Sequence, residues 1–374
     1  MKPDHTNRVC GQKTKIENEL LLCLLRLSTN DESSDRISSL LKRQLNWEYL
    51  LRTAHEHRVV PTIHRRLRAF ATEMPQPVLA EIRTRFLEIS SANLDLTRKL
   101  MRLLALLREN DIPTIAYKGP ALAQSAYGDI RLRHFTDLDI MVRKTDVLRV
   151  KELFIANGCS PGWSLTKSQE AAVLRHHYEY PLLCNKRRVL IEVHWEFAEH
   201  FFSFAFDFDQ MWQRLEPVVI LGKPLLTLGP EDSLLVLCAH GSKHFWKRLG
   251  WINDVAQLIS RHELDWKIVV KRAEALGLLR ILRLGLLLAS EVLGVEFPSE
   301  VDRRTGPEPT LEAIVNRIRS CMFSVENEPS GTIETTLLQW KMRERIRDRF
   351  NYCFRLVIST KLVDALFMPM GRPR

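Results

Sequence analysis

The chain has 374 residues, 45% of them hydrophobic and 27% charged, which excludes a disordered or fibrous protein and leaves room for two or three domains. Its 55 basic and 45 acidic residues give a net charge of +10, a balance that favours anionic partners such as nucleotides, nucleic acid or an acidic membrane leaflet and fits a solvated basic surface equally well. The seven cysteines (Cys10, Cys23, Cys159, Cys184, Cys238, Cys321 and Cys353) form no C-x-x-C pair, so the spacing speaks against a disulfide framework or zinc ribbon and predicts reduced, mostly buried thiols.

The polar N-terminus lacks a signal-peptide apolar core, and Leu20 to Leu25 falls well short of the roughly 20 residues that span a bilayer. Arg280 and Arg283 interrupt the apolar run Leu278 to Leu288, so no transmembrane segment is expected and the reading is a soluble, cytoplasmic protein. Residues 1–13 read as a disordered tail and 14–110 as a helical region, with Leu96, Leu100, Leu103, Leu104 and Leu107 on one helix face. At Asp111 the character changes. Ile112 to Tyr117 reads as a strand ending at Lys118-Gly119, with Pro120 opening a helix to about Tyr127. An Arg-bearing loop, Gly128 to Thr136, leads to a strand at Asp137 to Val142 and a helix from Asp146 to Asn157 closed by Gly158. Strands at Tyr178 to Cys184 and Val189 to Trp195 are joined as a hairpin by Asn185 to Arg188. These elements define an α/β core at 111–229. Helices return at 230–296, and 297–374 holds a Pro-rich linker and a last helical segment, Thr335 to Phe367.

The chemistry sits in the α/β core. On a strand, residues two apart share a face, so Asp137 and Asp139 project together while Leu138, Ile140 and Val142 pack on the other side. Two adjacent carboxylates call for a cation, and hard oxygen ligands suit Mg²⁺ or Mn²⁺ held between protein and substrate phosphates. Lys118 and Gly119 form a turn that a phosphate can approach, at the start of a helix. Arg131 and Arg133 stand in the loop before the aspartates, within reach of phosphates or in solvent. In Ile191-Glu192-Val193-His194-Trp195, alternation puts Glu192 and His194 on one face. Glu192 there supplies a third acid, as second-metal ligand or as base.

The order Lys118-Gly119, Asp137-x-Asp139, Glu192-x-His194-Trp195, Pro230-Glu231-Asp232-Ser233-Leu234-Leu235, His240 and Trp251-Ile252-Asn253-Asp254 resembles the uncharacterised nucleotidyltransferase group of the DNA polymerase β-like superfamily. The resemblance runs from about Asp111 to Trp266. It implies an α+β fold, a small mixed-sheet core embedded between mainly helical N- and C-terminal regions. It also implies Mg²⁺ and an NTP donor, with Gly119 as the phosphate-turn glycine, Asp137 and Asp139 as the metal pair and Glu192 as the third carboxylate. Two positions depart from its pattern: Pro120 follows Gly119 where Ser is usual, and Glu192 stands where Asp is common.

His240 and His244 lie four apart, but Gly241 occupies the place of the zinc-motif glutamate. The resemblance sets this helix beside the core, which suggests that His240 or Lys243 contacts nucleotide or acceptor and that Asp254 orders the region by pairing with it. The segment Lys341 to Leu356, with six basic residues and interleaved Phe350, Tyr352 and Phe354, is read as a helix docked by its aromatic face or as an RNA- or membrane-binding element. The expected activity is Mg²⁺-dependent nucleotidyl transfer from an NTP to a small-molecule, peptide or protein acceptor, with nucleic acid not favoured. One alternative is a nucleotide-sugar donor that tailors a small molecule or ribosomal peptide. The other is a catalytically degenerate nucleotide- or RNA-binding module.

Overall fold

In a computed structural model, which describes residues 15–27, 30–184, 189–197, 208–299, 301, 308–323 and 332–354, four short helices lead the chain. They are α1 (Ile16–Leu25), α2 (Asp31–Leu41), α3 (Trp47–Glu56) and α4 (Val60–Leu67). Asn30 and Asn46 cap α2 and α3 by accepting from the backbone N–H groups of Ser33 and Tyr49. Side-chain caps of this kind satisfy donors that the first helical turn leaves open. A 34-residue helix, α5 (Gln76–Glu109), follows and buries Leu96, Leu100, Leu103 and Leu107 as their spacing predicts.

The core then runs β1 (Thr114–Ala116), α6 (Gly119–Leu122), β2 (Asp137–Val142), α7 (Val147–Ala156), β3 (Ser160–Pro161), α8 (Lys167–His176), β4 (Glu179–Cys184) and β5 (Val189–His194). The five strands form one sheet in the order β1-β2-β5-β4-β3. Only β2 and β5 pair parallel, so the sheet is mixed, and the fold class is α+β with helical flanks. The expected turn at 185–188 lies outside the described residues. The helix expected from Pro120 to Tyr127 is a single α turn followed by a π-helical segment, Ala123–Tyr127.

β3 is the first of five elements that go beyond the expectation. α8 starts on a capping box between Thr166 and Gln169, yet buries only Val173, too little periodicity to betray a helix. After α9 (Phe208–Trp212), β6 (Leu215–Ile220) and β7 (Lys223–Leu228) form a hairpin around Leu221 and Gly222, both at positive φ. Such turns are usually announced by Asn-Gly or Asp-Gly, and Leu-Gly conceals this one.

The C-terminal part contains α10 (Pro230–Lys243), α11 (Leu249–Arg261), α12 (Trp266–Leu276), α13 (Leu279–Leu293), α14 (Pro309–Cys321) and α15 (Thr332–Met342). The single helix expected from Thr335 is interrupted at 343–345, before residues 346–354 resume as helix, and residues 355–367 lie outside the described set. At the break Arg343 is buried, its guanidinium 3.9 Å from the Tyr352 ring centroid, while Phe350 and Phe354 are 72% and 69% exposed. The anticipated face, aromatics inward and arginines outward, is reversed at these positions.

Helices α1–α4 and α10–α14 share one hydrophobic core, so the two helical flanks pack on each other. A second core lies between the C-terminal half of α5, α7 and the sheet face carrying Leu138, Ile140, Val142, Ile191 and Val193. On the opposite sheet face Ile115, Tyr117 and Met141 are covered by Met211, Leu228 and Val236. The expectation of reduced thiols needs one correction: Cys159 and Cys184 form a disulfide, with Cα atoms 4.1 Å apart. Pairing of β3 with β4 sets Ser160 opposite Leu183 and brings together cysteines that sequence spacing kept apart. Cys23 and Cys238 are free and buried. No helix among the described residues is long and apolar enough to cross a membrane.

Candidate active site

Strand periodicity builds the site. Leu138, Ile140 and Val142 point into the second core, which sends Asp137 and Asp139 to the other face with Met141. The parallel register sets Asp139 beside Glu192, and the β4–β5 register sets Glu179 beside His194. Lys118, just past β1, reaches over the same face.

Asp139 is the centre of the cluster. Its Oδ1 accepts a hydrogen bond from Lys118 Nζ at 2.9 Å and lies 3.1 Å from His194 Nε2. His194 Nε2 is also 3.5 Å from Glu192 Oε2, and its Nδ1 is 3.5 Å from Glu179 Oε2. Burial pushes the Asp139 carboxyl up, but Lys118 and His194 overcome it and hold the group below the usual carboxylate range. Burial likewise opposes charge on Lys118 and His194, and the surrounding carboxylates more than reverse it, so both stay above their ordinary values. Asp137 moves the other way. Burial and the neighbouring charges of Asp139 and Glu192 raise it, with Lys118 and Arg58 opposing.

Asp139, Glu192 and His194 each offer a donor atom, all within 4.8 Å of one another, a spacing that could hold a metal ion. His194, anticipated as a nucleotide contact, joins Asp139 and Glu192 in this group, and Asp137 precedes them on the same face of β2. Asp137 stands half-buried at the start of β2, where Arg58 and Lys118 balance part of its charge. The site fits a divalent ion on a further ground. Tyr117 Oη is buried there without a hydrogen-bond partner among the described residues, beside a surplus of carboxylate.

The other expected residues divide. Gly119 has φ +53°, and a Cβ there would meet the Asp137 carbonyl oxygen at an ordinary contact distance of 3.4 Å, so the left-handed backbone explains the glycine. Gly119 and Pro120 are both buried. Arg131 is exposed and bound to Asp129 at 2.7 Å, away from the cluster's hydrogen bonds. Arg133 is paired with Asp254, its Nε 2.8 Å from Oδ1, and Tyr127 donates to the same carboxylate at 2.6 Å. Asp254 therefore ties the pre-aspartate loop to α11 and does not bind His240 or Lys243 in the way expected. Lys243 donates to Tyr178 Oη at 2.5 Å, and the Tyr178 ring lies 5.8 Å from His194. His240 is held neutral, well below the usual imidazole range, by burial first and then by Lys118 and His244. Its ring meets those of His244 and Trp251 at 4.7 and 5.6 Å.

Sequence reasoning missed Glu179 and Arg58. Alternation of Glu179 with Tyr180 in β4 was a usable signal for the first. Arg58 comes from the helical flank, and nothing local marks it.

The sequence profile of the uncharacterised nucleotidyltransferase family matches residues 43–294, from just after α2 to the glycine that ends α13. The chain belongs to the uncharacterised nucleotidyltransferase family. The match extends the motif-bearing stretch, 111–266, into both helical flanks, so the shared core of helices is part of what defines this nucleotidyltransferase. No curated protein and no solved structure matches the chain. Membership makes the protein an enzyme of nucleotidyl transfer, with a nucleoside triphosphate as substrate.

Proposed function

We propose that the enzyme transfers a nucleotidyl group from an NTP to a hydroxyl or phosphate acceptor with Mg²⁺ or Mn²⁺, and that Asp139, Glu192 and His194 hold the ion. The observation that carries this reading is the convergence of those three donors on one sheet face beside Lys118. An imidazole among the donors admits Mn²⁺ alongside Mg²⁺. A bound divalent ion supplies charge neutralisation for the triphosphate.

The remaining work falls to the chain. Lys118 neutralises Asp139 and sits where phosphate charge accumulates. Glu192, whose side chain is 24% exposed against 4% for Asp139, is the open carboxylate. It takes the acceptor proton, or binds a second ion, as the acceptor oxygen bonds to the α-phosphorus and the bond to pyrophosphate breaks. Asp137, at the mouth of the site beside Arg58, completes the acid row.

The test follows transfer of label from α-³²P NTP in Asp139→Asn and Glu192→Gln. Each is expected to lose about 100-fold or more, equivalent to the several kcal/mol that a metal ligand supplies. Unchanged transfer would sink the mechanism. The buried Gly119-Pro120 turn favours a second reading, in which the donor is a nucleotide sugar or turnover is lost. Thermal shifts with NTPs and nucleotide sugars, each with Mg²⁺, separate these: stabilisation by the sugar alone replaces the donor, and NTP stabilisation without transfer marks a binding module.

A further inference from the structure

A cavity of about 510 Å³ opens among α3, the α10–α11 turn, α14 and α15. Its size is that of a small-molecule site. One wall is apolar and aromatic, with Tyr49, Phe245, Met322 and Phe323. Of its cations, Arg52 faces Glu56 at 4.0 Å, Arg317 is paired with Glu334 at 2.8 Å, and Lys247 has contacts of its own. Arg248 differs: its described contact is the face of Trp251 at 5.2 Å, and no carboxylate among the described residues lies within ion-pair distance.

Arg248 also lines a second, narrow cavity of about 20 Å³, shared with Arg58, Arg133 and His134. Arg58 and Arg133 act electrostatically on Asp137, and Arg248 lines both the large cavity and this smaller one, whose cations face the acid row.

Backbone strain collects on the same walls. Five non-glycine residues among the described ones have positive φ; Asp111 and Leu221 sit in connecting turns, and the other three are Arg58, Phe245 and Trp246. Strain of this kind persists where surroundings enforce it. Here the enforcement is visible. Trp246 is wholly buried, and Gly241 and Gly285 give it room, since a Cβ at either would come within about 3.1 Å of its ring. A locked turn thus presents Phe245 and Arg248 to the cavity in fixed positions.

We infer that this cavity is the acceptor site and takes a small amphipathic organic anion. The carboxylate, sulfonate or phosphate of that molecule meets Arg248, and its aromatic or aliphatic body lies against Phe245 and Phe323. Binding of the anion stands on the cavity alone; its role as acceptor rests on the transferase reading above.

The full-length chain is titrated with anilinonaphthalene sulfonate, an aromatic anion, and with uncharged phenylnaphthylamine. Saturable one-to-one binding of the anion is expected. It weakens about 10-fold or more in Arg248→Gln, the worth of one charge-assisted contact, whereas the neutral dye is unaffected by that change. Leu338→Trp, which fills the cavity from a half-buried position on α15, abolishes binding of both dyes. Circular dichroism and the unfolding midpoint confirm that each variant is folded. Anion affinity unchanged in both folded variants, or no saturable binding to the wild-type chain, overturns the proposal. Binding of labelled NTP with Mg²⁺ is measured on the same samples. NTP binding retained in Leu338→Trp supports the acceptor role, and its loss overturns that role by assigning the cavity to the nucleotide. Dye binding without any NTP binding to the wild type rejects the transferase reading and leaves the anion site standing.

Discussion

Lys118 and Asp139 form a buried ion pair whose partners are exposed by only 12% and 4%. Removing one member of such a pair leaves an uncompensated charge, at a cost of about 3–5 kcal/mol. Lys118→Met is therefore expected to destabilise the metal-free protein by that amount. Millimolar Mn²⁺ or Mg²⁺ then raises its unfolding midpoint more than that of the wild type, because the ion replaces the lost cation; equal shifts in a thermal melt would refute this. His57 gives a second residue-scale prediction. Burial pushes its imidazole down to about 4, and its Nδ1 accepts the Leu249 N–H at 3.1 Å. Between the ordinary histidine value, about 6.5, and 4, the unfolded chain holds a proton that the folded one refuses. This contribution to stability is therefore present at neutral pH and lost as pH falls through that window. His134 and His244, pushed down to about 4 and about 3, steepen the same slope. In urea titrations from pH 7 to 4, His57→Asn, which keeps an acceptor but does not titrate, is expected to flatten the fall. Asp139 and Glu192 were legible as residues because two-residue periodicity is local. The Asp139–Lys118 and His194–Glu179 contacts were not, since they depend on how strands distant in sequence align.

At the scale of elements, β2 and β5 were readable to within a residue because Asp137 and Asp139, and Glu192 and His194, each flank an apolar residue in an otherwise apolar run, and the hidden β6–β7 hairpin shows what happens when turn chemistry is weak. The α6 turn shows how packing adds to a motif. Gly119 was read as a phosphate contact, and its positive φ gives it a structural duty as well. Gly119→Ala is expected to cost about 1–2 kcal/mol from the left-handed backbone alone. A turn that shifts to relieve this strain moves Lys118 with it, so NTP-dependent transfer should fall along with the denaturation midpoint. Full stability in chemical denaturation would show that the turn relaxes freely. The C-terminal helix was misjudged for a related reason. Composition revealed alternating Arg and aromatic residues, but the helix interruption at 343–345 that buries Arg343 follows from tertiary contact.

Across the whole molecule, the Arg133–Asp254 pair joins the loop before the aspartates to α11, with Tyr127 bonded to the same carboxylate. Arg133→Ala is expected to destabilise by about 3–5 kcal/mol, and the double variant Arg133→Ala/Asp254→Asn by less than the sum of the singles. Strict additivity in that cycle would mean the two are not coupled. The composition indicated a globular chain and the resemblance an α+β fold, yet the joining of the helical flanks into one core could not be read from either, because each flank shows only its own amphipathic stripe. Helix α5 spans both regions. At 34 residues it is about 50 Å long, with Ile82 and Ile89 in the helical core and Leu100 and Leu107 beneath the sheet. Near its middle, Asn93 donates to the carbonyls of Ile130 and Arg133 at 2.7 Å, gripping the loop from inside. A strut fastened at both ends and at mid-span removes the hinge that two hydrophobic cores would otherwise allow. Substrate capture by this enzyme then falls to side chains and surface segments, and small-angle scattering with and without nucleotide should record the same radius of gyration.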